Sequence, residues 1–177
     1  MISKKFASAI IGTDKHQVYL GLGANLGDRE QTILRAYRHI ERLIGTIRRQ
    51  SAFYYSEPWG FTSDHGFANT VIMVETSLKP IEVLHRTQLI ERLLGKRREH
   101  ATIRQQKPTA PPDQATSQSA RPNTHYSVHS SPIYHDRPID IDILLYDDLH
   151  LDSPKLKIPH PLMQERDFVM IPLQEIL

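Results

Sequence analysis

From Arg137 to Tyr146 the chain reads Arg-Pro-Ile-Asp-Ile-Asp-Ile-Leu-Leu-Tyr, a β-branched run with two aspartates two residues apart. Side chains alternate across a strand, so Asp140 and Asp142 share one face while Ile139, Ile141 and Ile143 take the other, the core side. Two bare carboxylates about 7 Å apart on a rigid strand repel each other, and each pKa rises unless a cation sits between them. Oxygen-only ligands suit a hard divalent ion such as Mg²⁺, which keeps water and completes its shell with substrate phosphates. The run therefore points to phosphoryl-transfer chemistry. The plain alternative is a solvated pair on a half-exposed strand, because Asp-x-Asp is a common triplet. Arg137 before the pair and Ile143-Leu144-Leu145 directly after it weigh against a frayed tip.

With 177 residues, 39% of them hydrophobic, the chain supports one domain with a real core and is short for two. There is no cysteine, which excludes disulfides, thiolate metal sites and cysteine nucleophiles and fits a reducing compartment. A net charge of +2 is near balance, so a basic face spread over the molecule for nucleic acid is not expected; charge argues for a local anionic ligand. Lys4-Lys5 followed by Phe6 to Ile11 faintly resembles a signal peptide, but the apolar stretch is short and Asp14, Lys15 and His16 interrupt it. No segment approaches the roughly 18 consecutive apolar residues of a membrane span. The expectation is a cytoplasmic monomer without membrane or nucleic-acid partners.

Residues 1–16 read as a loose leader and 17–177 as a single domain. Val18 to Gly23 makes a short buried strand ending in the turn Ala24-Asn25-Leu26-Gly27. Asp28 is a natural N-cap with Gln31 three residues on, and Ile33, Leu34, Tyr37, Ile40 and Ile44 form a helical stripe closed by Gly45. Thr46 to Tyr55 reads as a second strand and Phe67 to Ser77 as a third, separated by a loop with Glu57, Pro58, Gly60 and Gly66. Pro80 opens a second helix with Val83, Thr87, Ile90 and Leu94 on one face and Gly95 at its end. The aspartate strand is fourth. This order predicts an α+β fold: a ferredoxin-like split-βαβ (βαββαβ) two-layer sandwich, with helices on one face of an antiparallel sheet. After it, Pro154, Pro159 and Pro161 keep the chain irregular, and Met163 to Leu177 reads as one or two short helical turns.

His100 to Pro132 stands apart, rich in Pro, Ser, Thr, Gln and Ala and nearly devoid of large aliphatic residues. Such a segment cannot bury enough apolar surface to offset its ordering entropy. A flexible insertion at about 100–132, mobile and dispensable for chemistry, is the expectation. His125, His129 and His135 lack the spacing that fixes a metal geometry.

Six segments, taken in order, resemble one family: Leu22 to Asp28; Ser51 to Tyr54 with Glu57 to Gly60; Phe67-Ala68-Asn69; Glu75-Thr76; Arg137-x-x-Asp140-Ile141-Asp142-Ile143-Leu144; and Ile158-Pro159-His160-Pro161. The chain resembles the 6-hydroxymethyl-7,8-dihydropterin pyrophosphokinases of folate biosynthesis from about Val18 to Ile176, the insertion excepted. The resemblance implies transfer of a pyrophosphoryl group from ATP to the pterin hydroxymethyl oxygen, releasing AMP, with two Mg²⁺ ions on Asp140 and Asp142. It agrees with the independent reading of the strand.

The resemblance further implies a pterin held between Phe67 and Phe168, its amide edge paired with Asn69, with Ser56, Pro58 and Trp59 lining the rest. A buried amide at Asn69 between apolar neighbours needs a partner in any case. For ATP it implies Gln88, Glu91, Arg98, Tyr134, Arg137, Ile143, Lys155, Lys157, His160 and Arg166, with Arg98 and Arg137 also counted as catalytic. Core packing is the ordinary role of single aromatics, and a solvated edge that of Lys155 and Lys157. The sequence departs from the family at the lid. Ile133-Tyr134-His135-Asp136-Arg137 replaces Arg-Trp-Gly-Pro-Arg, so Tyr134 stands for the tryptophan and Asp136 adds a charge near phosphates. Lys96 takes a place often held by arginine.

Three rivals fit parts of the pattern. A polymerase- or cyclase-like palm predicts metal carboxylates on different strands, whereas both lie on one here. A non-catalytic ferredoxin-like module leaves Asp140 and Asp142 solvated. Nucleic-acid binding through Lys96-Arg97-Arg98 predicts an aromatic stacking face, and a basic run at a helix end more often complements the helix dipole.

Overall fold

Five strands of one antiparallel sheet carry the fold in the computed structural model, which describes residues 14–60, 62–96 and 136–177. The expectations for the leader up to residue 13, for the insertion, and for Arg97, Arg98, Tyr134 and His135 lie outside these residues. The elements run β1 (His16–Ala24), α1 (Arg29–Leu43), β2 (Thr46–Gln50), β3 (Tyr54–Ser56), β4 (Phe67–Thr76), α2 (Pro80–Leu93), β5 (Asp140–Tyr146), β6 (Leu151–Asp152), β7 (Lys157–Ile158) and α3 (Asp167–Ile176). Strand order is β2-β4-β1-β5, with β3 beside β4, while β6 and β7 form a separate ribbon.

The helices start where local chemistry allows. Asp28 caps α1, its carboxylate accepting the Gln31 N–H at 3.1 Å, and α1 buries Ile33, Ala36 and Ile40. Leu34, expected in that stripe, faces outward at 37% exposure, and Ala36 takes the inner position. Pro80 begins α2, where its missing N–H costs nothing, and Glu82 accepts the Lys79 N–H at 2.8 Å. Gly95, at φ +99°, ends that run as expected. Gly45 is required for another reason: a Cβ there would lie 2.1 Å from the Glu75 carbonyl oxygen, so only glycine lets the α1–β2 turn cross β4.

Four expectations change. The strand read from Val18 starts at His16, within the supposed leader, because His16 and Gln17 pair with Thr76 and Glu75 at the end of β4. The strand read as Thr46–Tyr55 breaks into β2 and β3 around Ser51, whose hydroxyl accepts the Val71 N–H that a continuous ladder would use differently. The C-terminal turns are a 3-10 turn at Met163–Glu165 and then the ten-residue α3, which includes Pro172. Packing decides that helix. Val169, Leu173 and Ile176 bury against Val71, Met73 and Leu144 on the sheet face opposite α1 and α2, so the described fold has a third layer.

The first core lies on the α1/α2 side: Val18, Leu20, Leu22 and Ala24 of β1, Ala68, Ile72 and Val74 of β4, and Ile141, Ile143 and Tyr146 of β5. A β-bulge shapes the other side. Tyr19 pairs with Leu145 and Leu20 with Ile143, leaving Leu144 as the extra residue, so Leu144 and Leu145 both join the α3 core. Asp140, Asp142 and Leu144 thus share the α3 side, the face that period-two alternation assigns to the aspartates.

Candidate active site

The α3 side of the sheet is only partly covered by α3, and beyond it lies a cavity of about 220 Å³. Its floor is the pocket face of β1, which presents Gly21 and Gly23. Register places Gly23 between Asn69 of β4 and Asp140 of β5, and Gly21 between Val71 and Asp142. A Cβ on Gly23 would come within 2.9 Å of Asn69 Oδ1, so the bare strand is what lets groups on β4 and β5 face one space.

On the β4 side, Asn69 is 5% exposed, and its Nδ2 donates to the Tyr54 carbonyl at 3.2 Å and to Ser56 Oγ at 3.0 Å. A carbonyl can only accept, so the amide is oriented and Oδ1 is left to receive a donor from the cavity. Ser56, Glu57, Trp59, Phe67 and Phe168 line the same space. Cations sit close to these rings: the Arg137 guanidinium is 5.8 Å from Phe67, and Arg166 is 4.7 Å from Trp59 and 5.9 Å from Phe168.

On the β5 side the two aspartates differ. Asp140 is held by Lys96 Nζ at 2.6 Å and Arg137 Nη1 at 2.9 Å. Burial alone would raise its pKa, but Lys96 and then Arg137 more than offset it, keeping the carboxyl below the usual range. Lys96 also binds Glu91 Oε1 at 2.8 Å, and that oxygen accepts the Ile141 N–H at 2.9 Å. The Asp142 carboxylate accepts no hydrogen bond from the described residues, and burial, with the Asp140 charge next, pushes its pKa up to about 7. Glu91 is likewise raised to about 7, chiefly by burial, against the pull of Lys96. Asp140 keeps its charge while its two carboxyl neighbours resist ionising.

A second cavity, about 280 Å³, opens beyond β5 and is lined by Leu84, Ile143, Lys155, Lys157 and the chain around Pro154. The two cavities share Asp142, His160 and Pro161. The β5 bulge positions His160, whose N–H donates to the Leu144 carbonyl at 3.0 Å. Burial and then Arg166 lower the His160 pKa.

The donor set fits a hard divalent ion. Asp142 offers open carboxylate lone pairs, and among the described residues no third acidic, histidine or cysteine side chain completes a cage. Such an ion takes its remaining ligands from water and phosphate oxygens.

Of the residues expected from sequence, Ser56, Trp59, Phe67, Asn69, Phe168, Arg137, Asp140, Asp142, His160 and Arg166 line the first cavity, and Ile143, Lys155, Lys157 and His160 the second. Arg166 was expected with ATP but stacks among the aromatics. Pro58, Gln88 and Glu91 line neither cavity; Gln88 is exposed on α2, and Glu91 is buried as the brace of Lys96. The sequence reading missed Gly21 and Gly23, signalled by two glycines at period two inside a strand. It also missed Asn25, 2% exposed, which accepts the Arg137 N–H at 2.8 Å and donates to Asp136 at 2.6 Å. The charge at Asp136 is thereby engaged with Asn25.

A family model, 7,8-dihydro-6-hydroxymethylpterin-pyrophosphokinase (HPPK), matches residues 19–109 and 113–177. The chain belongs to that family. A pyrophosphokinase of this type from Porphyromonas gingivalis strain W83 is 41% identical over 160 residues, covering 90% of this chain and 89% of the relative. Those of Aquifex aeolicus and Bacillus subtilis are 34% and 32% identical, over 90% and 89% of this chain and 79% and 76% of theirs. Among solved structures, an HPPK-DHPS in complex with substrates is similar at a TM-score of 0.60 and 12% identity, and a Plasmodium falciparum HPPK-DHPS at 0.59 and 14%. Each match covers 92% of this chain but only 40% of the solved one, and at these identities the likeness is one of fold. Membership of the HPPK family fixes the reaction as pyrophosphoryl transfer from ATP to hydroxymethyldihydropterin in folate biosynthesis. No helix among the described residues is long and apolar enough to cross a membrane.

Proposed function

We propose that the first cavity takes the pterin alcohol, the second takes ATP, and Asp140 and Asp142 hold two Mg²⁺ ions at their junction. The observation that carries this reading is that the cavities meet at Asp142, His160 and Pro161, beside a carboxylate with no protein partner among the described residues. Bound there, the metal supplies charge compensation for the triphosphate.

The chain's own residues position and screen. Phe67 and Phe168 flank the flat ring, and Asn69 Oδ1 accepts from its polar edge, with Ser56 and Trp59 closing the pocket. Lys155, Lys157 and His160 serve the nucleotide, and Arg137 and Arg166 bring cationic donors to the side where both substrates meet. Arg98 and Tyr134 keep the nucleotide and lid roles that the family resemblance gives them. Glu91 acts behind Lys96, holding its ammonium beside Asp140. The strand order β2-β4-β1-β5 supports the split-βαβ reading, with α3 as an added layer; the domain reading becomes one domain from His16, where β1 begins, to 177, interrupted at 100–132. A cytoplasmic monomer completes the reading.

AMP release measured with ATP, Mg²⁺ and the pterin alcohol, omitting each in turn, tests it. Turnover that needs all three is expected. AMP formation indifferent to the pterin alcohol would overturn the assignment, and its complete absence would favour a non-catalytic module.

A further inference from the structure

The loop between β3 and β4 supplies Glu57 and Trp59 to the first cavity, and Ser56 and Phe67 on either side of it also line that space. Its two ends come together. A Cβ on Gly66 would lie 3.3 Å from the Ser56 carbonyl oxygen and 3.6 Å from Arg29 Nη1. Arg29, the first residue of α1, donates from Nη1 to the Gly66 carbonyl at 2.7 Å. Its guanidinium also lies 5.9 Å from the Tyr55 ring, and the Tyr55 hydroxyl donates to the Glu30 carboxylate. One helix start therefore grips the residue before the loop's cavity-lining part and the residue at its end. Neither Arg29, Glu30 nor Tyr55 lines the cavity.

From this juxtaposition we infer that Arg29 is a positioning residue for the pterin alcohol, acting through the loop it clamps; the inference rests on the placement of that substrate in the first cavity. The start of α1 is itself fixed, since Asp28 caps it and accepts the Thr32 N–H on its carbonyl at 3.0 Å. A charged donor on a partly buried carbonyl is a strong, directional link. Releasing it frees Gly66, and with it the approach of Phe67 and the seat of Ser56, which receives the Asn69 amide. Lys155, Lys157 and the second cavity have no part in this set, so the effect falls on one substrate only.

Trp59 is the sole tryptophan of the chain, so its emission reports this loop directly. In full-length Arg29→Ala, the KM for the pterin alcohol should rise about tenfold, with kcat and the KM for ATP within about twofold of wild type. The ligand-free Trp59 emission should shift to the red and quench more readily with acrylamide. Arg29→Lys keeps a donor but loses the planar stack and should lie between the two. Tyr55→Phe, which removes only the Glu30 link, gives the same direction more weakly and serves if Arg29→Ala folds poorly. Unchanged Trp59 emission and pterin KM in these variants, or equal rises for both substrates, would overturn the clamp. Failure of wild-type Trp59 emission to respond to the pterin alcohol would instead sink the pterin placement, leaving the ligand-free emission to judge the clamp alone.

Discussion

Along β1, Val18, Leu20, Leu22 and Ala24 face α1 and α2 with 2% exposure or less, while Gly21 and Gly23 between them face the cavity with no side chain. β5 repeats the division: Ile141 and Ile143 enter the helix-side core, and Asp140 and Asp142 face the cavity. Two-residue alternation thus lets the same strands build a closed apolar layer on one face and a charged, open one on the other. The closed face supplies the burial that tolerates an unpartnered carboxylate on the open face. Substitutions that act on one face and spare the other are the direct way to break this division.

The largest effect is expected from the open face. Asp140→Ala or Asp142→Ala should lower turnover by about 10³-fold or more with the circular dichroism of the folded protein retained, and Asp142→Ala, which breaks no ion pair among the described residues, should also melt near wild type. Near wild-type turnover at saturating Mg²⁺ would remove the metal role. Leu20→Ala, one residue from Gly21 but on the closed face, should cost about 2–5 kcal/mol in urea unfolding, because the residue is fully buried. Below its melt, that variant should keep the substrate affinities of wild type. A loss of turnover as deep as that of the aspartate variants would mean the two faces are not separable.

Asn69→Ala sharpens the comparison within the open face. It leaves the Tyr54 carbonyl and Ser56 hydroxyl without the amide and removes the acceptor facing the cavity. Weakening of pterin binding by about 1–3 kcal/mol is expected, with ATP binding little changed. Calorimetry with each ligand alone measures both, and equal losses would mean that the pocket has been misassigned.

The strands and helices were legible because their signals are local: period-two alternation at Ile139–Ile143, the Asp28 cap, Pro80 at a helix start. So were most cavity residues, though through family resemblance rather than spacing. What escaped depended on long-range partners. α3, with Pro172 inside it, reads as no more than one or two short turns until Val71 and Met73 offer it a surface. The Leu144 bulge exists only relative to β1, and the Arg29 grip only once Gly66, 37 residues away, returns to the start of α1. Glu91 looked like a ligand because a carboxylate on the right helix turn does; its burial against Lys96 is a tertiary fact.

The smallest expected effect comes from a carboxylate whose surroundings are the reverse of those of Asp142. Glu75, near the end of β4, receives Arg48 Nη2 at 2.8 Å and Lys15 Nζ at 2.7 Å on one oxygen. Arg48 first and then Lys15 hold its pKa down to about 2, from an ordinary value of 4.5. Because the folded pKa is the lower one, its contribution to stability is fully present above 4.5 and disappears as pH falls from there toward 2. Glu75→Gln should therefore melt slightly below wild type at pH 7, with the gap narrowing as the pH drops below 4.5. Added salt should narrow it too, since Lys15 and Arg48 are solvent-exposed and charges there are screened within about 10 Å at 0.1 M ionic strength. Catalysis should be unaffected at pH 7, for Glu75 lines neither cavity. A gap that stayed constant from pH 7 to pH 3, or that ignored salt, would show that Glu75 stabilises the strand by packing, and charge would then not be what distinguishes it from Asp142.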